Sequence, residues 1–397
     1  MEPVTRRRFV GGTAGAAGLL TAGAGLSYLK DPSEAQASGN EMKVDTGDHN
    51  LALAGTTPAK AGSGHGNIGI GTGALAQIDT GYDNIAIGSL AQAVNQTADN
   101  NVAVGAGALA AMVASQSVAV GTRALASIVD RGKTVAVGYE ALMNAKEGLN
   151  VAVGYQALYG MGSGGNFDGE DNVAVGFRAQ MYNGTGSPPA DMADVGADAN
   201  TAIGLWSMLG VDGQTWARFN TGCGSQTLMN ITTGLRNGAF GTYAMLNLAT
   251  GTDNSALGYN ALKRVVDGVA NSGVGTNCGF AILHGSYNTV LGHDAGYTDG
   301  RHATTDHSNM TLIGYQAQGQ ADNVMVFGSA ITSNRSNFFF GGIGTAANGG
   351  GGVGVIYVAN APRSPKTNPD SGGILYVDGG ALMYRGSSGR VTTLAPA

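Results

Sequence analysis

Asn254-Ser-Ala-Leu-Gly258, Asn271-Ser-Gly-Val-Gly275 and Asn288-Thr-Val-Leu-Gly292 follow one another with their glycines 17 residues apart. The same phrase runs upstream through Asn84-Ile-Ala-Ile-Gly88, Asn101-Val-Ala-Val-Gly105, Ser117-Val-Ala-Val-Gly121, Thr134-Val-Ala-Val-Gly138, Asn150-Val-Ala-Val-Gly154 and Asn172-Val-Ala-Val-Gly176. Asn200 to Gly204, Asn220 to Gly224 and Asn237 to Gly241 complete the series, with weaker copies at Asn67 to Gly71, Gly314 and Gly328. A short period held over this many copies is the signature of a solenoid, in which each repeat buries its apolar face against its neighbours.

The residue types fit a coil that turns twice in each repeat. Val-Ala-Val is strand by propensity, and its two valines face the side opposite to its alanine. Glycine reaches positive φ without a Cβ clash, and asparagine tolerates left-handed geometry, so both suit corners. Identical asparagines stacked coil on coil are expected to form an amide ladder. A second apolar piece follows each corner glycine, as in Tyr139-Glu-Ala-Leu142 and Tyr155-Gln-Ala-Leu158, and is expected to form a second strand. A second glycine column at Gly234, Gly251, Gly268 and Gly285 marks the second turn. The expected fold is therefore all-β: a parallel β-solenoid of about fifteen coils, roughly 70 Å long at about 4.8 Å per coil. Because the strand is apolar on both sides, one side needs a cover outside the coil. Self-association about an axis parallel to the stack would supply it.

Composition supports this reading. With 68 glycines, 9 prolines and no Gly-X-Y period, the chain is not collagen. With 43% hydrophobic residues, mostly small, it is not a solvated disordered chain. The net charge of −6 leaves no basic footprint, so nucleic acid is excluded as an expected partner.

Arg6-Arg7-Arg8-Phe9 precedes an apolar Gly/Ala-rich run ending near Leu29, and Ala35-Gln-Ala37 offers small residues for cleavage. This is the pattern of a twin-arginine export signal, with no stable membrane insertion expected. The expected organisation is a signal at 1–37, a polar linker at 38–66, the solenoid at 67–340, a Gly/Pro-rich hinge at 341–370 and a C-terminal β tip at 371–397. The tip, Gly372-Gly-Ile-Leu-Tyr-Val-Asp378 through Met383-Tyr-Arg385 to Val391-Thr-Thr-Leu394, reads as two or three strands joined by glycine turns.

The repeated Asn-Val-Ala-Val-Gly, with alanine three residues later, resembles the head repeat of YadA-type trimeric adhesins, a repeat also found in phage tail fibres. The resemblance covers Asn67 to about Gly328 and implies a left-handed β-roll assembled as a homotrimer. It also implies attachment to a cell-surface glycan or receptor, from an exported cell-surface setting or a virion. The C-terminal segment resembles the closing segment of phage tail fibres. No heptad stalk or membrane-anchor barrel is read after the repeats, so a tail appendage is the alternative to a cell envelope.

Several side-chain groups are weighed for chemistry. His293, Asp294, Asp299, Arg301, His302, Asp306 and His307 are types suited to a metal or to acid–base work. Their spacing matches no ligand motif, so they are carried as a candidate ligand-binding set, with no metal or cofactor assigned. His293 and Asp294 occupy the places of Tyr139 and Glu140, expected to be variable and exposed. Asp168, Glu170, Asp171, Asp191, Asp194 and Asp198 lack the spacing of a calcium loop and are read as solubilising. Tyr139, Tyr155 and Phe177 follow the corner glycine in successive coils, forming an aromatic column that serves either sugar binding or the sheet itself. Cys223 and Cys278 are read as small core residues, too far apart for an intrachain bridge, with an interchain one left open. The expected role is a structural fibre or adhesin and not an enzyme. The alternatives are a tailspike-like glycan depolymerase using loop carboxylates, and a passive surface-layer or sheath protein.

Overall fold

The computed structural model describes residues 49–53, 64–111, 114–127, 132–144, 149–160, 169–182, 184, 199–297, 306–319, 321–327, 364–369 and 373–397, with backbone alone at 20–22, 24–28 and 42–45. Most of the signal and hinge segments, the Pro188-Pro189 insertion, and Asp168, Asp191, Asp194, Asp198, Asp299, Arg301 and His302 lie outside the described residues.

The Asn-x-Ala-x-Gly phrase forms a three-residue strand in each coil, from Ile68–Ile70 to Met325–Phe327. Successive strands pair in parallel and in register, Ala136 beside Ala152 and Ala152 beside Ala174. They build a parallel β-solenoid of about 13 turns, somewhat fewer than the fifteen expected. The stack also starts one coil before the expected boundary at residue 67. Asn50–Leu53 pairs in parallel with Ile68–Ile70, and Met42–Asp45 lies antiparallel against it. That first coil keeps the 17-residue spacing from Asn50 to Asn67 but has Ala54 at the glycine place.

Inside the coil sit the strand alanines, such as Ala136 and Ala256, with Ala141, Leu142, Leu262 and Val265 from the following turns, all essentially without solvent contact. Each leucine so buried stabilises the stack by about 1.5–3 kcal/mol. The asparagine ladder forms as expected. The Asn254 side-chain oxygen accepts from both the backbone N–H (2.9 Å) and the side-chain amide (3.0 Å) of Asn271 one coil on. Its own amide donates to Gly268 O at 2.7 Å. Every polar atom of these buried amides thus has a use, which a dry interior requires.

The second apolar piece is not a strand. From Gly138 to Leu142 every second residue is left-handed, with φ of 137° at Gly138, 54° at Glu140 and 51° at Leu142. Each non-glycine residue in that region costs about 1–2 kcal/mol. The cost is offset by bonds that the alternation makes possible. Glu140 N–H donates back to Thr122 O at 2.9 Å and Leu142 N–H donates forward to Ala157 O at 3.0 Å, while the leucine side chain enters the core.

At the second turn the left-handed residue is the one before the ladder asparagine, as at Asp253, Ala270 and Tyr287, and not the glycine. The glycine column there serves close approach: a Cβ on Gly268 would stand 2.4 Å from Gly285 O. The corner glycines meet both demands, since Gly154 has φ of 140° and its Cβ would stand 2.3 Å from Gly176 O.

The C-terminal residues form a separate compact unit. Strands Gly373–Asp378, Ala381–Gly386 and Val391–Ala395 make an antiparallel sheet. Arg385 ties residues 364–369 to it by donating to Pro365 O at 2.7 Å and Asn368 Oδ1 at 3.0 Å.

Candidate functional site

The strand alternation decides which surface the solenoid offers. With the alanine turned inward, the first and third strand residues both turn outward, so the expected second apolar face is present. The third-position column includes Ile87, Val120, Val137, Val153, Ile203, Phe240, Leu257, Val274 and Leu291, all exposed, Leu257 to 55%. Beside it runs the first-position column, which is half-buried from Ile68 through Val173 to Thr221. No side chain at either position, from Leu51 and Leu53 to Met325 and Phe327, is charged.

The chemistry of the face changes along the stack. From Ile68 and Ile70 to Val173 and Val175 both columns carry Ile or Val; from Thr201 to Thr311 the first position is Thr, Ser or Gly while the third stays Ile, Phe, Leu or Val apart from Cys223. Cys223 therefore belongs to the outward column and is not a core residue, which corrects the sequence expectation. Cys278 is interior, and burial pushes its thiol up to about 12.

Next to the face stands the column that follows the corner glycine. Tyr139 and Tyr155 stack at 5.3 Å and 10°, Tyr155 and Phe177 at 5.1 Å and 9°. The Arg178 guanidinium lies 5.2 Å from the Phe177 ring centre. These rings spend their faces on one another, so the column braces the corner, as aromatic neighbours in a sheet do, and offers few ring faces to a sugar.

Behind it, at Glu140 and Gln156, the next residue of the coil is turned inward. Glu140 is buried, against expectation, and joins Arg123 at 3.0 Å and the Gln156 amide at 2.9 Å, while Arg178 Nε donates to Gln156 at 2.9 Å. Hydrogen bonding to Glu140, together with its charge, holds the Tyr139 phenol above its ordinary value.

The described members of the candidate ligand set, His293, Asp294, Asp306 and His307, fall at two corners. His293 pairs with Asp294 at 3.1 Å and packs on Tyr315, while Asp294 accepts from Asn277 at 2.9 Å, all at the corner after the strand. Asp306 and His307 lie at the corner before the strand. There Asp306 accepts from the backbone of His284 at 3.2 Å, and His307 meets Asp322 at 3.3 Å. These residues are close in sequence, within one lengthened repeat, while the coil geometry sends them to different edges. Among the described residues no group of three His, Cys, Asp or Glu side chains is placed to hold a metal ion.

Sequence reasoning missed the partners of Asp306 and His307. His284 pairs with Asp267 one coil below at 2.7 Å, so carboxylates and imidazoles follow one another along one corner as Asp267, His284, Asp306, His307 and Asp322. The signal was available: Asp267 and His284 are 17 residues apart, one full repeat. Among the described residues no helix is long and apolar enough to cross a membrane. The sequence matches no protein-family model and no curated protein.

Proposed function

We propose that the chain is a structural fibre or adhesin, a rod that assembles with copies of itself about an axis parallel to the coil stack. It displays its loops and C-terminal sheet for attachment to a cell surface or glycan. The observation that carries this reading is the continuous uncharged face, lined from Leu51 and Leu53 to Met325 and Phe327. Sixteen strands at about 4.8 Å, each about 10 Å wide, give a face of about 700 Å². A monomer rarely exposes an apolar patch above about 300–600 Å², and a standard interface buries about 800 Å² per partner.

The resemblance of the repeat to YadA-type heads sets the expected number of copies at three and the expected setting outside the cytoplasm, after export through the Arg6-Arg7 signal. The role assigned is structural and not catalytic, with no cofactor. The test is the absolute mass of the full chain by light scattering, with sedimentation to report shape. An elongated trimer is expected. A monomer at micromolar concentration would sink the proposal, since an uncharged face of this size would then be stable in water uncovered.

A further inference from the structure

Two neighbouring cations, Lys263 and Arg264, stand apart from the way this solenoid compensates charge. Arg123 meets Glu140 and Arg236 meets Asp253, each at the same place one coil on, at 3.0 and 2.7 Å. Arg264 holds the sixth place after its corner glycine, where the coils on either side carry Asn247 and Ala281. Lys263 holds the fifth, between Leu246 and Phe280. Among the described residues neither cation has a carboxylate within ion-pair reach, although the chain has 27 acidic residues against 21 basic ones.

Each cation rests on an aromatic ring instead. The Lys263 ammonium lies 4.7 Å from the Tyr243 ring centre, and the Arg264 guanidinium 5.6 Å from that of Phe280. Such contacts hold a long side chain in place without neutralising it. Phe280 in turn meets Tyr297, one coil on, at 5.2 Å and 47°. That tilt sets the pair apart from Tyr139, Tyr155 and Phe177, whose rings lie at 10° and 9° and cover one another. Phe280 and Tyr297 are only half-buried, so part of each ring is open to water. Beside Arg264, Asn247 accepts from the Asn230 amide at 3.1 Å, and its own amide N–H groups have no acceptor among the described residues.

Uncompensated cations, tilted rings and a free amide donor therefore occupy consecutive coils, on the stretch between corner glycine and second turn, off the strand and its uncharged columns. A guanidinium takes a carboxylate through two parallel N–H donors, and an ammonium takes another as a point charge. A ring accepts the C–H side of a pyranose, and an amide bonds its hydroxyls. Coils repeat at about 4.8 Å, close to the length of one sugar ring, so a polysaccharide laid along the stack offers each coil a similar unit. Resting on the glycan attachment proposed above, we propose that this stretch binds an acidic polysaccharide of uronate type. Arg264 and Lys263 take its carboxylates, and Phe280 and Tyr297 lie against its rings. A nucleic acid strand fits less well. It carries a phosphate at every nucleotide, and no described coil has a further cation at the fifth or sixth place to follow such a series.

The test is binding of the full chain to immobilised polygalacturonate, alginate and hyaluronate, followed by biolayer interferometry, with dextran, poly-L-glutamate and a single-stranded oligonucleotide as controls. Saturable binding to at least one uronate polymer is expected, weaker at high salt, with the controls not retained. Arg264→Gln and Phe280→Ala should each weaken it by about tenfold, with the dichroism of the coil and the mass in solution unchanged. Arg264→Lys should recover only part of that loss, because an ammonium lacks the fork. Lys263→Gln gives an independent reading should Phe280→Ala disturb the coil.

No binding to any of the three polymers would overturn the proposal. So would undiminished binding by both Arg264→Gln and Lys263→Gln, or retention of poly-L-glutamate or the oligonucleotide as strong as that of the uronates. A chain that ignores the uronates but is retained on neutral glycans would lose this inference and keep the attachment role. A chain retained on no glycan and no cell surface would lose both.

Discussion

At the scale of the residue, a buried polar group stabilises the stack only where the next coil supplies a partner, and this sorts the buried amides into two kinds. Asn254 is fully engaged, so Asn254→Ala strands the Gly268 carbonyl and the Asn271 backbone N–H in a dry interior. At about 1–3 kcal/mol for each stranded group, the loss should be roughly 2–6 kcal/mol, measured as a shift of the denaturant midpoint. Gln92 is the opposite case. It takes the place of Leu109 and Leu125, shares their left-handed φ, and neither of its amide atoms has a partner. Gln92→Leu should therefore stabilise the protein by about 1–3 kcal/mol in the same assay. A histidine supplies a pH dependence. Hydrogen bonding to Asp267, reinforced by its charge and by that of Asp306, raises the His284 pKa above its ordinary 6.5. A raised folded value means that this contribution is fully present below pH 6.5 and is lost as pH climbs through the folded pKa. Proton NMR should find His284 titrating above the ordinary value in the native chain and lower in Asp267→Asn, and an unchanged midpoint would refute the pairing.

At the scale of the element, the strand and its asparagine and glycine columns are legible in the sequence because each position has one dominant physical demand repeated many times. Two things are not legible. The segment after the corner glycine reads as a strand because it recurs as a short apolar piece, yet its left-handed residues at Glu140 and Leu142 are ordinary side chains whose conformation is imposed by the coils on either side. The first coil is hidden by Ala54, although Asn50 carries the ladder on by accepting from Asn67 N–H at 2.8 Å. The described histidines of the candidate set part for a related reason: closeness in sequence says nothing about which corner a residue joins. A corner glycine and a strand glycine give a test of how the coil is held at its minimum spacing. Gly154→Ala meets both a left-handed backbone and a carbonyl at 2.3 Å, whereas Gly238→Ala meets neither. The first should lower the thermal midpoint severely or prevent folding, and the second should leave the far-ultraviolet dichroism of the coil unchanged. Equal effects at the two sites would show that spacing is not set by the corner glycines.

At the scale of the whole molecule, the same alternation that packs Ala136 inside turns Val135 and Val137 out, so the apolar face follows from building a two-sided apolar strand. Threonine also favours extended backbone and takes the first position at Thr201, Thr221, Thr289 and Thr311, yet the third position stays Ile, Phe, Leu or Val there apart from Cys223. The face must then be covered or remain a liability, and its lack of charge offers nothing to discourage contact with another copy. A single charge tests this without touching the core. Val137 is 36% exposed in the single chain, so Val137→Lys should fold, its ammonium reaching water in the monomer. In an assembly that buries the face, the same ammonium would lose its hydration with no carboxylate at any first- or third-position residue to receive it. The variant should keep the dichroism of the native coil but dissociate at concentrations where the native chain holds together, as followed by sedimentation velocity. Thr250→Lys, at an exposed corner away from the face, should leave the assembly intact. If Val137→Lys associates as strongly as Thr250→Lys, then the contact between copies lies elsewhere, and the uncharged face is a consequence of the strand and not the reason the molecule assembles.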